Sequence, residues 1–582
     1  MKSKNQLQQP RINAIFILIA LFSGFSISAQ NDQLKFNAVS RTFQENNKLQ
    51  EEDTVNADRT SSGYTLMDLG VNINPDRKTE IQAIIRFKTD LGGFFGDGTE
   101  LDLRQIRVKG TVKEVVNYEV GDLYLKLSPF TLYNENVEGA INEATVFSDI
   151  RRDIANYENL NRDNFWWQQG AHIDFGLEFE KVIHQMNVDG FFLRNRGTDF
   201  ISVPNSFYAG GRINIQQSKN FGFKLNYINL FDDGASVNSE QETRNPVAST
   251  EIDYTYNGSG FDMLISGEAG LSKLIFIPRA SVDSADIVVD PDDYQDVFFD
   301  FNSIWKHKKN GLQAGLGYRY VGPEFYSAGA QSKRINFSQN PTTFTGVNNN
   351  PFSPRGIGLF DLTRDANVYN PVITRQLMAY DPRLSNAMPY GVATPNRKGL
   401  NLALGYKSKG DIVHTSFKAS VLSDVVGEGS PEKRKFKVLR LGLDLNINKA
   451  IDWEKSIVFK TGIQHESTKR DDSLGVDLKS SLIDVGLDIE VFKQFDLLLG
   501  AKRLRSKGTE FYFARDQFNQ LGLPAAMDID QSETLYGVGL KYRFNEKIYL
   551  TAQNHFFSFA NKKNAEQDYG FNQVFILFNM KL

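Results

Sequence analysis

Along much of this 582-residue chain, apolar and polar residues alternate with a period of two. Successive side chains point to opposite faces in an extended strand, so each such run reads as a strand with one apolar and one polar face. In 65–88, Met67, Leu69, Val71 and Ile73 alternate with Leu66, Asp68, Gly70 and Asn72. Asn74-Pro75-Asp76-Arg77-Lys78 then supplies a turn, and the return strand sets Ile81, Ala83, Ile85 and Phe87 against Gln82, Arg86 and Lys88. The pattern comes back at 171–180, 312–320, 439–447, 483–491 and 536–544.

Connections of two lengths alternate between the runs. Short ones fall near 74–78, 113–115, 180–184, 217–220, 256–260, 307–311, 407–411, 448–455, 492–494 and 545–547. Long ones, rich in Asn, Asp and Gly, fall near 44–61, 89–100, 130–165, 195–206, 230–248, 272–296, 322–398, 423–435, 467–480, 506–533 and 557–570. This rhythm predicts an all-β fold: one large antiparallel transmembrane β-barrel of about 22 strands (window 16–22), with short periplasmic turns and long extracellular loops. The first strand is expected at 34–43, and an even strand number puts both termini in the periplasm.

Composition fits that expectation. Mean hydropathy is -0.38 at 41% hydrophobic residues, and no stretch beyond the N-terminus is long and apolar enough to cross as a helix. A barrel needs only every second residue to face lipid, and 45 Phe and 22 Tyr suit its surface and interfacial girdles. The net charge of -4 argues against a nucleic-acid binder. Residues 1–29 read as a secretory signal peptide: Lys2, Lys4 and Arg11 precede the apolar run 14–22, and Ser26-Ile27-Ser28-Ala29 offers a cleavage site. Residues 30–582 are then the barrel, located in the cell outer membrane. With no Cys there is no disulfide, and stability rests on the closed sheet. Only about thirty-five residues lie between the cleavage site and the clear hairpin at 65–88, too few for an N-terminal plug domain.

The last strand, with Val574, Ile576, Phe578, Met580 and Leu582 on one face, resembles the signal by which outer-membrane assembly machinery recognises barrel clients, ending on Leu rather than Phe. The segment 105–134, QIRVKGTVKEVVNYEVGDLYLKLSPFTLYN, is similar to the early strands of bacterial porins. That class-level resemblance implies a membrane location and a diffusion pathway, but no substrate.

The candidate pore-lining residues stand on the polar rows: Arg86, Lys88, His172, Asp174, Glu178, Arg319, Arg440, Asp444, Asp484, Lys541 and Arg543. Mixed signs give no decided ion preference. Arg151, Arg152 and Arg162 lie in 130–165, which could fold inward as a constriction, and 322–398 reads as a cap or lid. His172, Asp174, Glu178 and Glu180 share one strand face, but ligands spaced by two diverge, so a hydrated wall is favoured over a metal site. No GxSxG elbow or other catalytic constellation occurs, so no enzyme and no cofactor is expected.

The function that follows is a porin-like channel for passive passage of small polar solutes. The alternative is a non-conducting barrel subunit of a multi-protein outer-membrane export, barrel-assembly or surface-anchoring complex. Expected partners are outer-membrane lipid and lipopolysaccharide, the barrel-assembly machinery during insertion, and proteins at the extracellular loops.

Overall fold

The computed structural model describes residues 33–582 except 51–58, 77, 92–97, 134–137, 160–165, 202, 234–240, 279–291, 348–354, 472–474 and 516–520. The signal peptide reading (1–29) and Arg162 therefore lie outside the described residues. Twenty-two strands form one antiparallel sheet in which each pairs with its neighbours in sequence. β1 (Leu34–Gln50) also pairs with β22 (Tyr569–Lys581), from Val39 opposite Lys581 to Gln50 opposite Gly570. That pairing leaves no free edge and closes the sheet into a barrel.

The short connections fall where the alternation places them, for instance between β2 (Arg59–Asp76) and β3 (Thr79–Asp90) and between β18 (Val476–Phe492) and β19 (Phe495–Arg515). The faces also agree. Leu400, Leu441, Val538 and Ile576 are 54, 46, 46 and 51% exposed on the outside. Apolar exposure repeated around a whole cylinder exceeds what a water-soluble monomer carries, and marks a membrane-facing exterior. Among the described residues no helix is long and apolar enough to cross a membrane.

Several long connections are shorter than their sequence suggests. The expected loops 44–61 and 506–533 are largely strand: β1 runs on to Gln50, and β19 pairs with β20 (Leu521–Arg543) as far as Arg515 opposite Leu521. The stretches 230–248, 272–296, 467–480 and 557–570 are shortened in the same way. Backbone pairing needs no apolar side chain. Beyond the apolar belt the outer row loses its alternation while the hydrogen-bonded ladder continues.

Two connections are long because they fold inward. One joins β5 (Val116–Leu123) to β6 (Gln168–Glu178) and holds helix α1 (Thr145–Ile150), which runs into a π-helical turn over Arg151–Asn156. The other joins β13 (Leu312–Val321) to β14 (Arg397–Lys407) and holds helix α2 (Leu359–Arg364). Phe130, Val146, Phe147, Phe325, Leu359 and Phe360 are among their fully buried side chains. The apolar core therefore sits inside the barrel, packed between these segments and the inner rows.

Candidate functional site in the lumen

The first inserted segment rests on a row of glycines. Gly442 on β16 (Lys435–Asn446) stands opposite Gly462 on β17 (Ile457–Arg470), while Gly500 on β19 stands opposite both Gly486 on β18 and Gly537 on β20. A Cβ on Gly486 would come within 2.6 Å of Ala144 Cβ, and one on Gly462 would run into the Ile141 carbonyl. These strands carry no side chain at the contact because the backbone of 141–147 lies against the wall.

Polar groups fix the register of that contact. The Ala144 N–H donates to Asp484 (3.1 Å), the Thr145 hydroxyl to Asp488 (2.5 Å), and the Asn142 amide to Asp444 and to the Leu443 carbonyl, both at 2.9 Å. Below the segment, Lys502 is fully buried. Its ammonium donates to the Gly139 carbonyl (2.8 Å), pairs with Glu143 and lies 3.3 Å from Asp484. Arg151 grips the same Glu143 carboxylate with two bonds of 3.0 Å. Burial disfavours the charged form of Glu143, but Arg151 and Lys502 outweigh it and hold its carboxyl down to about 2.

The second inserted segment crosses the bore at the long-loop end and is clamped from several sides. Asn245 on β10 (Gln241–Asn257) donates to the Tyr326 carbonyl and accepts from the Ala328 N–H. Asn195 on β7 (Gln185–Arg196) does the same with both backbone groups of Ile373. Glu466 takes the Asn386 and Ala387 N–H groups, and Glu533 takes that of Leu359. The two segments also join each other through Lys333 and Glu138 and through Arg151 and Tyr369.

Most of the sequence-predicted pore residues face inward, and many are engaged. Asp444, Asp484 and Lys541 hold the first segment, Lys541 through Asp149 at 2.7 Å. Arg86 makes a two-bond pair with Asp68, which also binds Arg104 and the Tyr157 hydroxyl. Lys88 lies 3.8 Å from Asp90, His172 3.6 Å from Asp189, and Asp174 accepts from the Asn117 amide at 2.9 Å. Glu178 is exposed at the end of β6, and Arg543 pairs with Asp496 and Glu490 at the short-turn rim. Arg152 pairs with Asp149 and Asp153. Among the described residues no group of three or more metal-ligating side chains occurs.

Arg319 and Arg440 stand apart. With Lys418, Asn401, Tyr133 and Tyr390 they line a cavity of about 450 Å3 between the inserted segments and the wall formed by β12 (Asp292–His307) to β16. Arg319 is held by Asp300 at 2.8 Å, whereas Arg440 has no ion-pair partner among the described residues. Sequence reading does not single out Glu143, Lys502, Lys418 or Asn401. The available signal was the run of glycines on the polar rows of five consecutive strands, which marks where something must approach the wall.

Fold and lining define the class: a closed 22-stranded antiparallel β-barrel with a membrane-facing exterior, whose lumen is occupied by two of its own connections. No family model and no curated protein matches this sequence. Among solved structures, the chain is similar to OccK5 (OpdH) of Pseudomonas aeruginosa, at 10% identity over 95% of this chain and 100% of that one, with a TM-score of 0.35. It is also similar to a BenF-like porin from Pseudomonas fluorescens Pf-5, at 8% identity over 95% and 99%, with a TM-score of 0.36. The architecture is read from the strand pairing of this chain itself.

Proposed function

We propose that this protein is a porin-like channel of the outer membrane that passes small polar solutes along the side of the lumen its inserted segments leave unfilled. The observation that carries this reading is the 450 Å3 cavity beside the β12–β16 wall of a closed barrel, where Arg319, Asn401, Lys418 and Arg440 meet apolar groups such as Met388 and Val392. A water-filled, polar-lined interior is the feature that lets a barrel conduct. Purified protein reconstituted in planar bilayers is expected to give small discrete conductance steps. Sustained electrical silence from folded protein would overturn this reading.

The buried ion cluster under the first segment favours a second reading, a non-conducting barrel that works as a subunit of a larger outer-membrane assembly. Lys502, Arg151, Glu143 and Asp484 hold that segment to the wall as a fixed plug would be held. In that case the bilayers stay silent, and extraction in mild detergent recovers the barrel with a stoichiometric partner.

A further inference from the structure

Lys418 on β15 (Val413–Ser423) stands directly opposite Arg440 on β16, both on the lumenal face. Side chains so placed have Cβ atoms about 4.5–5.5 Å apart, and like charges there repel. Neither cation has an ion-pair or hydrogen-bond partner among the described residues, and Arg440 Nε is buried without an acceptor. The carboxylates whose field reaches Arg440 are committed elsewhere: Glu466 to backbone N–H groups of the second segment, Glu138 to Lys333. Next to the pair, Ser420 donates to Asn401 Oδ1 at 2.7 Å, which leaves the buried Asn401 Nδ2 donor without an acceptor. All three side chains line the same cavity, as do Tyr133 and Tyr390.

We infer that Lys418, Arg440 and Asn401 form a binding site for a small oxyanion, a carboxylate or phosphate group carried by a polar solute, and this rests on the channel reading only for how the solute arrives. An oxyanion brings two or more acceptor oxygens to three donors that lack acceptors and cancels the repulsion between the two cations. A guanidinium and an ammonium side by side suit it, the first through its planar fork and the second as a point charge. Lys418 is exposed to the lumen and Arg440 half-buried, so a solute reaches both, and charge-assisted bonds of this kind are stronger than neutral ones. Arg86, Arg319 and Lys541 elsewhere on the lumenal rows make no such demand, because each is paired with a carboxylate.

The test is the thermal unfolding midpoint of the full-length protein in detergent, with inorganic phosphate or succinate against chloride at matched ionic strength. Ligands that bind only the folded state raise the midpoint. A rise with one probe, lost in K418Q/R440Q, supports the site, and the effective probe tells phosphate from carboxylate. Each single variant is expected to weaken the apparent affinity about tenfold or more. The double variant removes a like-charge contact, so it is expected to fold; if it does not, the single variants carry the comparison. No rise with either probe, or an equal rise in the variants, overturns the site. Bilayer recordings separate the two readings: silence with a midpoint rise removes the channel and keeps the site, while conductance without a rise does the reverse.

Discussion

Gly500 and Gly537 face each other across β19 and β20, and a methyl group on either would press into the side chains of Val146 and Phe147. A Cβ on Gly500 would lie 2.5 Å from Val146 Cγ1, and one on Gly537 2.8 Å from Phe147 Cε1. The wall is thus cut to the shape of the segment it holds. Gly500→Val is expected to cost about 1–3 kcal/mol by overpacking and to lift α1 from its seat. The check is trypsin cleavage after Arg151 and Arg152, which should become several times faster than in the parent protein. Unchanged cleavage would mean that the glycine row does not hold the segment.

Lys502 and Glu143 are expected to behave as a coupled pair. Lys502→Met leaves Glu143 and Asp484 facing each other with less compensation, and breaking a buried pair in this way costs about 3–5 kcal/mol. Removing Glu143 as well, in K502M/E143Q, should cost less than the two single changes added together, with a coupling of about 0.5–3 kcal/mol. A double-mutant cycle on denaturant unfolding in detergent measures this, and strict additivity would contradict the geometry.

Glu143 also gives a pH dependence of known sign. Its carboxyl lies at about 2 in the folded protein against an ordinary 4.5, so the folded form holds the ionised group more tightly than the unfolded chain does. The stabilisation is therefore fully present above pH 4.5 and is lost as pH falls toward 2. At 1.36 kcal/mol per pH unit it amounts to about 3 kcal/mol. The unfolding midpoint should fall across that window, and E143Q should flatten that part of the profile.

On the outside, Leu441 is 46% exposed on a strand whose next residue inward is Arg440. Leu441→Arg would put a charge into hydrocarbon and is expected to cost about 2–4 kcal/mol if that height is near the midplane. Folding equilibria in lipid vesicles report the difference, and His414→Gln, on the lumenal row of β15 and 59% exposed, serves as the tolerated control.

The closed barrel and its strand positions were legible in the sequence because the period of two is a local property. Each residue's face follows from its neighbours alone, as in 65–88 and 536–544, and lipid demands that pattern along the whole span. The polar ends of the strands were not legible. At 44–50 and 506–510 neither face is selected for apolar residues, so only pairing with the next strand reveals the ladder.

Sequence by itself pointed to about 22 strands within a window of 16–22, to which row of each faces outward, and to two connections too long to be plain turns. Tertiary structure alone decided that those connections enter the lumen, that Asp484 and Lys541 hold the first of them in place, and that Lys418 and Arg440 stand opposite each other without ion-pair partners among the described residues. The reason is range. Alternation is written between adjacent residues, whereas Glu143 meets Lys502 across 359 positions, and a charge can be known as paired or unpaired only after the chain has closed around it.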